Sequence, residues 1–254
     1  MSFDAELEVV YNIANAPIRD FPYPHIFVRD VFPRNFYERI LEQLPPEAHL
    51  RTLRSLKRVS DNYPDTRLVM PLTPEHVSGL DDERRPFWEG MAGWLLGGPF
   101  GQLMTAKFQP YLQGRFGNLA EQRFFDEALI VRDYTKYSLG PHTDSPQKVL
   151  SFLFYLPPDD SRAHLGTSIY LPKDRAFVCP GGPHHRFDRF DRMLTMPYVR
   201  NALFAFMKTP NSFHGVEPIQ EEGVRRDLLL YDIKVSAAAP AVPPLGGAPV
   251  KFTM

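Results

Sequence analysis

His142 and Asp144 stand two residues apart in Leu139-Gly-Pro-His-Thr-Asp-Ser, directly after the turn pair Gly140-Pro141. If the apolar run ending at Tyr134 is a strand and the chain stays extended past that turn, both side chains project to one side. An imidazole and a carboxylate on one side are two of the three ligands of a mononuclear metal site. His214, in Asn211-Ser-Phe-His-Gly-Val and 70 residues beyond Asp144, offers the third. Two neutral imidazoles and one carboxylate on one face of an octahedron leave three positions open, as in non-haem Fe(II) oxygenases. Two of these suit a chelating 2-oxo acid and the last suits O2, whereas zinc favours four ligands and one open position. Arg225 follows His214 by 11 residues and opens the last apolar run. A guanidinium there suits the far carboxylate of a diacid co-substrate. Taken singly, the same residues read as a turn histidine, a capping aspartate and a core histidine. Their order and combination point to a site.

The bulk composition excludes several classes. Lysine plus arginine (29) nearly balances aspartate plus glutamate (30), against a nucleic-acid binder that works by bulk charge. Cys179 is the single cysteine, so neither an intrachain disulfide nor an all-cysteine metal cluster is expected. The N-terminal residues show no basic flank with a long apolar run, and no window approaches the ~20 apolar residues of a membrane helix. A cytoplasmic protein, monomer or homodimer, without nucleic-acid or membrane partners is expected. The 26 prolines and 20 phenylalanines suit a turn-rich β architecture.

The elements that must position the site follow from periodicity. Residues 4–14 predict a short helix capped by Asp4, 21–30 a Pro-bounded β run, and Pro33 the start of a helix with Phe36, Ile40, Leu41 and Leu44 on one face. Residues 49–72 are basic and read as a long loop or irregular strand pair. Two helices follow, over 81–96 and over 100–112, the second presenting Leu103, Met104, Phe108 and Leu112 to a core. From Phe124 onward come short β runs at 128–134, 149–156, 167–171, 202–207, 212–216 and 226–235, a sandwich or barrel signature. The polar interruption 173–198 reads as a lid or substrate loop. His164, His184 and His185 read as loop histidines that could touch substrate rather than bind metal. Residues from 236 onward form a Pro/Ala-rich tail.

The stretch 128–234 resembles the 2-oxoglutarate- and Fe(II)-dependent oxygenases, in particular their prolyl-4-hydroxylase-like branch. The resemblance rests on Val131-Arg-Asp-Tyr134, Leu139-Gly-Pro-His142-Thr-Asp144, Ser151-Phe-Leu-Phe-Tyr155-Leu, Gly166 before a β run, His214-Gly-Val-Glu-Pro-Ile and Gly223-Val-Arg225. It implies a mainly β (α+β) protein with a double-stranded β-helix, or jelly-roll, core and packed N-terminal helices. One domain would span 1–235, helical to about 120 and jelly-roll over about 121–235, with 236–254 as the tail.

By that resemblance His142, Asp144 and His214 bind Fe(II), Arg225 pairs with the far carboxylate of 2-oxoglutarate, Tyr155 donates a hydrogen bond to it, and Tyr134 sits beside the keto-acid end. The spacing from His214 to the arginine is longer than the family's by a residue or two, so Arg226 competes. Alternation favours Arg225, which shares a face with Asp227, Leu229 and Tyr231, and a bulge would exchange the two. Asp144 separates the chain from halogenating members, which lack this carboxylate. The implied reaction is hydroxylation of an unactivated C–H bond in a small molecule, amino acid or peptide. It would consume O2 and release succinate and CO2, with ascorbate in a supporting role. Arg132, on the same strand face as Tyr134, would meet an acidic or carbonyl group of the substrate or else a buried partner such as Asp227. A catalytically silent jelly-roll binding module and a cupin-like metalloenzyme are the alternatives; neither needs the arginine.

Overall fold

The computed structural model describes residues 3–59, 63 and 65–236, so all of the tail except Ser236 lies outside the described residues. The N-terminal half supplies helices α1 (Phe3–Asn15), α2 (Arg34–Glu42), α3 (Pro74–Val77), α4 (Arg84–Leu95), α5 (Pro99–Lys107) and α6 (Gln109–Phe116). Strands β1 (His25–Arg29), β2 (Arg51–Thr52) and β3 (Arg67–Pro71) lie between them. The C-terminal half contains β4 (Phe124–Tyr134), β5 (Leu139–His142), β6 (Lys148–Tyr155), β7 (Thr167–Pro172), β8 (Phe190–Met196), β9 (Ala202–Met207), β10 (His214–Val216) and β11 (Arg225–Val235).

Two sheets form, ordered β1-β9-β6-β11-β4-β3-β2 and β5-β10-β7-β8, and every pairing is antiparallel. Between β4 and β11 the chain passes back and forth between the sheets, which gives the expected double-stranded β-helix. Alternation then assigns each strand two faces. On β11, Leu229, Tyr231 and Ile233 point to the helical layer, where they pack with Val9, Ile13, Trp88, Met91 and Phe100. Phe100 meets Tyr231 edge-on at 5.1 Å between ring centroids. Leu228 points the other way, into an apolar cluster between the sheets with Val131, Tyr155, Ile169 and Phe204. Helices therefore cover one face of the large sheet, and the small sheet covers the other.

Two expectations are corrected. The helix placed over 100–112 is two helices, breaking at Phe108 where Pro110 enters the first turn of α6. Leu103 faces solvent rather than the core, 47% exposed. The interruption 173–198 is also not loop throughout, because its second half is β8, the edge strand of the small sheet. Asp191, Arg192 and Met193 of β8 are exposed, so the strand lacks the apolar run that marks a buried one.

Candidate metal centre

Backbone pairing brings the three ligand candidates together. His214 on β10 sits opposite His142 on β5, and Asp144 follows β5 by two residues. One ligand atom from each of His142, Asp144 and His214 lies within 4.8 Å of the others. Asp144 Oδ1 is 3.8 Å from His142 Nε2, and its Oδ2 is 3.9 Å from His214 Nε2. Each imidazole has its other nitrogen committed, His142 Nδ1 to Gly140 O at 3.0 Å and His214 Nδ1 to Ser212 O at 2.9 Å. Nδ1 can only donate to a carbonyl, so Nε2 is left with its lone pair toward the common centre. Fixing the tautomer this way is the usual outer support of a metal-binding histidine.

The electrostatics keep these groups in metal-binding form. Burial pushes both imidazoles below the ordinary histidine range, and for His142 the neighbouring His214 adds to this. Both are therefore neutral near pH 7. Burial alone would push the Asp144 carboxyl up, but Lys148, the two histidines and the Ser151 hydroxyl together hold it well below the usual range. Ser151 Oγ donates to Asp144 Oδ2 at 3.1 Å. Two neutral nitrogens and one carboxylate oxygen form a donor set that fits a divalent first-row metal such as Fe(II).

The loop 179–187 packs over β5. His185 N–H donates to Pro141 O at 2.8 Å, and Thr143 Oγ1 donates to Cys179 O at 2.9 Å. A side chain at Gly140 would place its Cβ 2.4 Å from His185 O, so only glycine permits this approach. The His184 ring lies 4.6 Å from that of His142. His184 thus borders the ligand cluster without belonging to it, whereas His164 lies elsewhere beside Glu221.

A second polar group occupies the same interior. Arg67, Asp133 and Arg226 face one another across three adjacent strands, because Asp133 pairs in register with both arginines. Asp133 accepts from Arg67 Nε at 2.6 Å, Arg67 Nη2 at 2.9 Å and Arg226 Nη1 at 2.6 Å. Arg226 also donates to Leu165 O at 2.6 Å and to Thr167 Oγ1 at 3.3 Å, and is fully buried. Two guanidiniums thus share one carboxylate. Thr167 links this ladder to the metal ligands, since it lies two residues along β7 from Ile169, which pairs with His214. Tyr155 is buried here, its oxygen accepting Thr167 N–H at 3.1 Å, and Arg226 Cζ lies 5.8 Å from its ring centroid.

Three other expected site residues lie elsewhere. Arg225 does share the face of Asp227, Leu229 and Tyr231, but that is the face toward the helices. Its side chain is half exposed and held by Asp227 Oδ2 at 2.5 Å. Tyr134 shares the corresponding face of β4, and its hydroxyl bonds the Glu47 carboxylate near the surface. Arg132 is buried on that face, donating to Asp227 Oδ1 at 2.7 Å and Pro45 O at 3.2 Å. Of its two expected partners, the structure selects the internal acid.

Sequence reasoning gave no individual role to Arg67, which it read only as part of the basic stretch 49–72, or to Asp133, Lys148, Ser151 and Asp232. Lys148 and Ser151 follow Asp144 closely, and the period of two from Arg226 to Asp232 was readable. The pairing of Arg67 with Asp133, 66 residues apart, was not.

No family model matches the chain, and no curated protein matches its sequence. Among solved structures, the chain is similar to a Pseudomonas putida prolyl-4-hydroxylase, with 13% identity, a TM-score of 0.49, and coverage of 90% of this chain and 98% of that one. It is similar to a Trichoplax adhaerens prolyl hydroxylase in complex with a hypoxia-inducible-factor peptide fragment, at 12% identity and a TM-score of 0.49, covering 90% and 88%. It is also similar to the epimerase SnoN in complex with Fe3+, alpha-ketoglutarate and nogalamycin RO, at 11% identity and a TM-score of 0.49, covering 99% and 97%. Likeness at this level does not transfer a reaction or a substrate.

Proposed function

We propose that this chain is an Fe(II)- and 2-oxoglutarate-dependent oxygenase that hydroxylates an unactivated C–H bond of a small-molecule, amino-acid or peptidyl substrate. The observation that carries this reading is the convergence of His142 Nε2, His214 Nε2 and an Asp144 oxygen, with both Nδ1 atoms locked to carbonyls. The Arg67–Asp133–Arg226 ladder supports it, because its surplus positive charge matches the far carboxylate of a diacid bound at the same centre.

In this reading His142, Asp144 and His214 hold Fe(II), which when bound would supply O2 activation coupled to decarboxylation of the 2-oxo acid. Arg226, rather than Arg225, anchors the far carboxylate with its remaining N–H groups. Asp133 fixes the plane of that guanidinium, and Tyr155 directs its hydroxyl proton to the same carboxylate. Val131, Ile169, Phe204 and Leu228 keep bulk water from the interior, which strengthens each of these polar interactions.

The test is succinate release by purified protein supplied with Fe(II), 2-oxoglutarate, ascorbate and air, first alone and then across a substrate panel. Slow uncoupled succinate release is expected without substrate. Asp144→Ala is expected to lose both metal binding and succinate release. A protein that binds neither the metal nor 2-oxoglutarate would falsify the proposal. One that binds both and never releases succinate would instead be a silent binding module.

A further inference from the structure

Next to the three ligand candidates lies a largely buried ion pair, its lysine 19% exposed, that the proposed reaction does not require. Lys148 Nζ is 3.4 Å from Asp144 Oδ1 and 3.0 Å from Asp232 Oδ2. Asp232 comes from the inward face of β11, where register sets it opposite Ser151, the residue that donates to Asp144 Oδ2. Asp232 is 1% exposed, and its Oδ1 has no hydrogen-bond partner among the described residues. The ammonium is placed rather than left to wander: Lys148 N–H donates to Ser145 O at 3.0 Å, and Lys148 O accepts from Arg115 Nη1 at 2.9 Å. Both carboxylates face the ammonium, one at 3.0 Å and one at 3.4 Å.

The charges decide what this arrangement does. With neutral histidines and both carboxylates counted as ionised, Asp144, Asp232 and Lys148 sum to one negative charge. One divalent cation and one carboxylate of a bound 2-oxo acid bring the site to neutrality. Without Lys148, neutrality would need a trivalent cation instead. In a buried site, where charges are weakly screened, that difference acts directly on metal affinity and oxidation state.

We propose that Lys148, held in place by Asp232, sets the charge of the metal centre, weakening its grip on cations and biasing bound iron toward the ferrous state. This rests on the metal-site reading above. Lys148 acts through Asp144 and the local field, and so is a positioning residue rather than a ligand.

The two members of the pair should act with opposite sign. Co(II) serves as a spectroscopic probe, titrated into metal-free protein without 2-oxoglutarate. Lys148→Met is expected to bind Co(II) more tightly by on the order of tenfold. Asp232→Asn removes one of the two carboxylates that face the ammonium, leaving Asp144, and is expected to bind Co(II) more weakly by a similar factor. Lys148→Arg, and Lys148→Met combined with Asp232→Leu, should both stay within about threefold of the parent. In iron-loaded protein the reduction potential should fall in Lys148→Met and rise in Asp232→Asn. A purely structural pair predicts weaker binding in both single variants, and that pattern overturns the proposal. Should Lys148→Met not fold, Asp232→Asn and the double variant still carry the sign. A parent protein that binds no Co(II) removes the metal-site reading and this inference with it. Cobalt binding without the opposed signs removes only the inference.

Discussion

Replacing Arg226 by methionine removes a guanidinium that is fully buried and bonded to Asp133, Leu165 O and Thr167 Oγ1. Asp133 keeps two bonds from Arg67, so the variant does not strand a buried carboxylate. Its folding cost should therefore sit at or below the low end of the ~3–5 kcal/mol seen when a buried pair is broken. The effect on co-substrate is separate and larger in proportion. Two of the five guanidinium N–H groups have no acceptor among the described residues, and in the proposed function these would meet the far carboxylate. Charge-assisted hydrogen bonds are worth about 1.5–3 kcal/mol each, so losing the pair corresponds to roughly a hundredfold or greater loss of 2-oxoglutarate affinity. Arg225→Met should change affinity less than about twofold, because that side chain is half exposed and faces away from the interior. The assay is anaerobic titration of the Fe(II)-loaded protein with 2-oxoglutarate, alongside chemical denaturation of each variant. If Arg225→Met lost affinity and Arg226→Met kept it, the face assigned to the pocket would be the wrong one.

Two further outcomes follow from the same geometry. Arg132→Met should destabilise the fold by about 3 kcal/mol, since it breaks a buried pair whose acid still keeps Arg225. It should leave 2-oxoglutarate affinity unchanged; a selective loss of affinity in a fully folded variant would return Arg132 to the pocket. The metal-free protein should lose stability as pH falls below about 6.5, with a slope of up to ~1.4 kcal/mol per pH unit for each histidine involved. The sign follows from His25, His142 and His214, whose pKa values burial lowers in the folded state, so the unfolded chain takes up protons first. Denaturation midpoints at pH 7.5 and 5.5 check this, and equal stabilities would mean that the histidines are not held neutral.

Much of the site was readable because its signals are local. The spacing of His142 and Asp144 needs only an extended backbone, and an extended backbone follows from the apolar run before it and the Gly140-Pro141 turn. The third ligand candidate, His214, was legible as a histidine in a separate short β run. The helices were found where apolar residues recur at helical spacing, as with Phe87, Met91 and Leu95 of α4. They were misjudged where a proline broke the period. Strand β8 went unseen because an edge strand buries too little to impose an apolar pattern.

Sequence alone thus picked out the candidate triad, the alternation of β11 and most of the succession of elements. It could not say which side of the large sheet was the inside. Alternation divides Arg225, Asp227 and Leu229 from Arg226, Leu228 and Asp232, but either set could have faced the candidate metal site, because a strand covered on both sides is apolar on both. The helical layer settled this by burying Leu229 and Tyr231, which turned Arg226 and Asp232 inward. That choice also placed Arg132 and Tyr134 on the helical side of the sheet and Asp133 on the inner side. The Arg67–Asp133–Arg226 ladder and the Lys148–Asp232 pair exist only through strand neighbours distant in sequence, and register is a property of the assembled sheet.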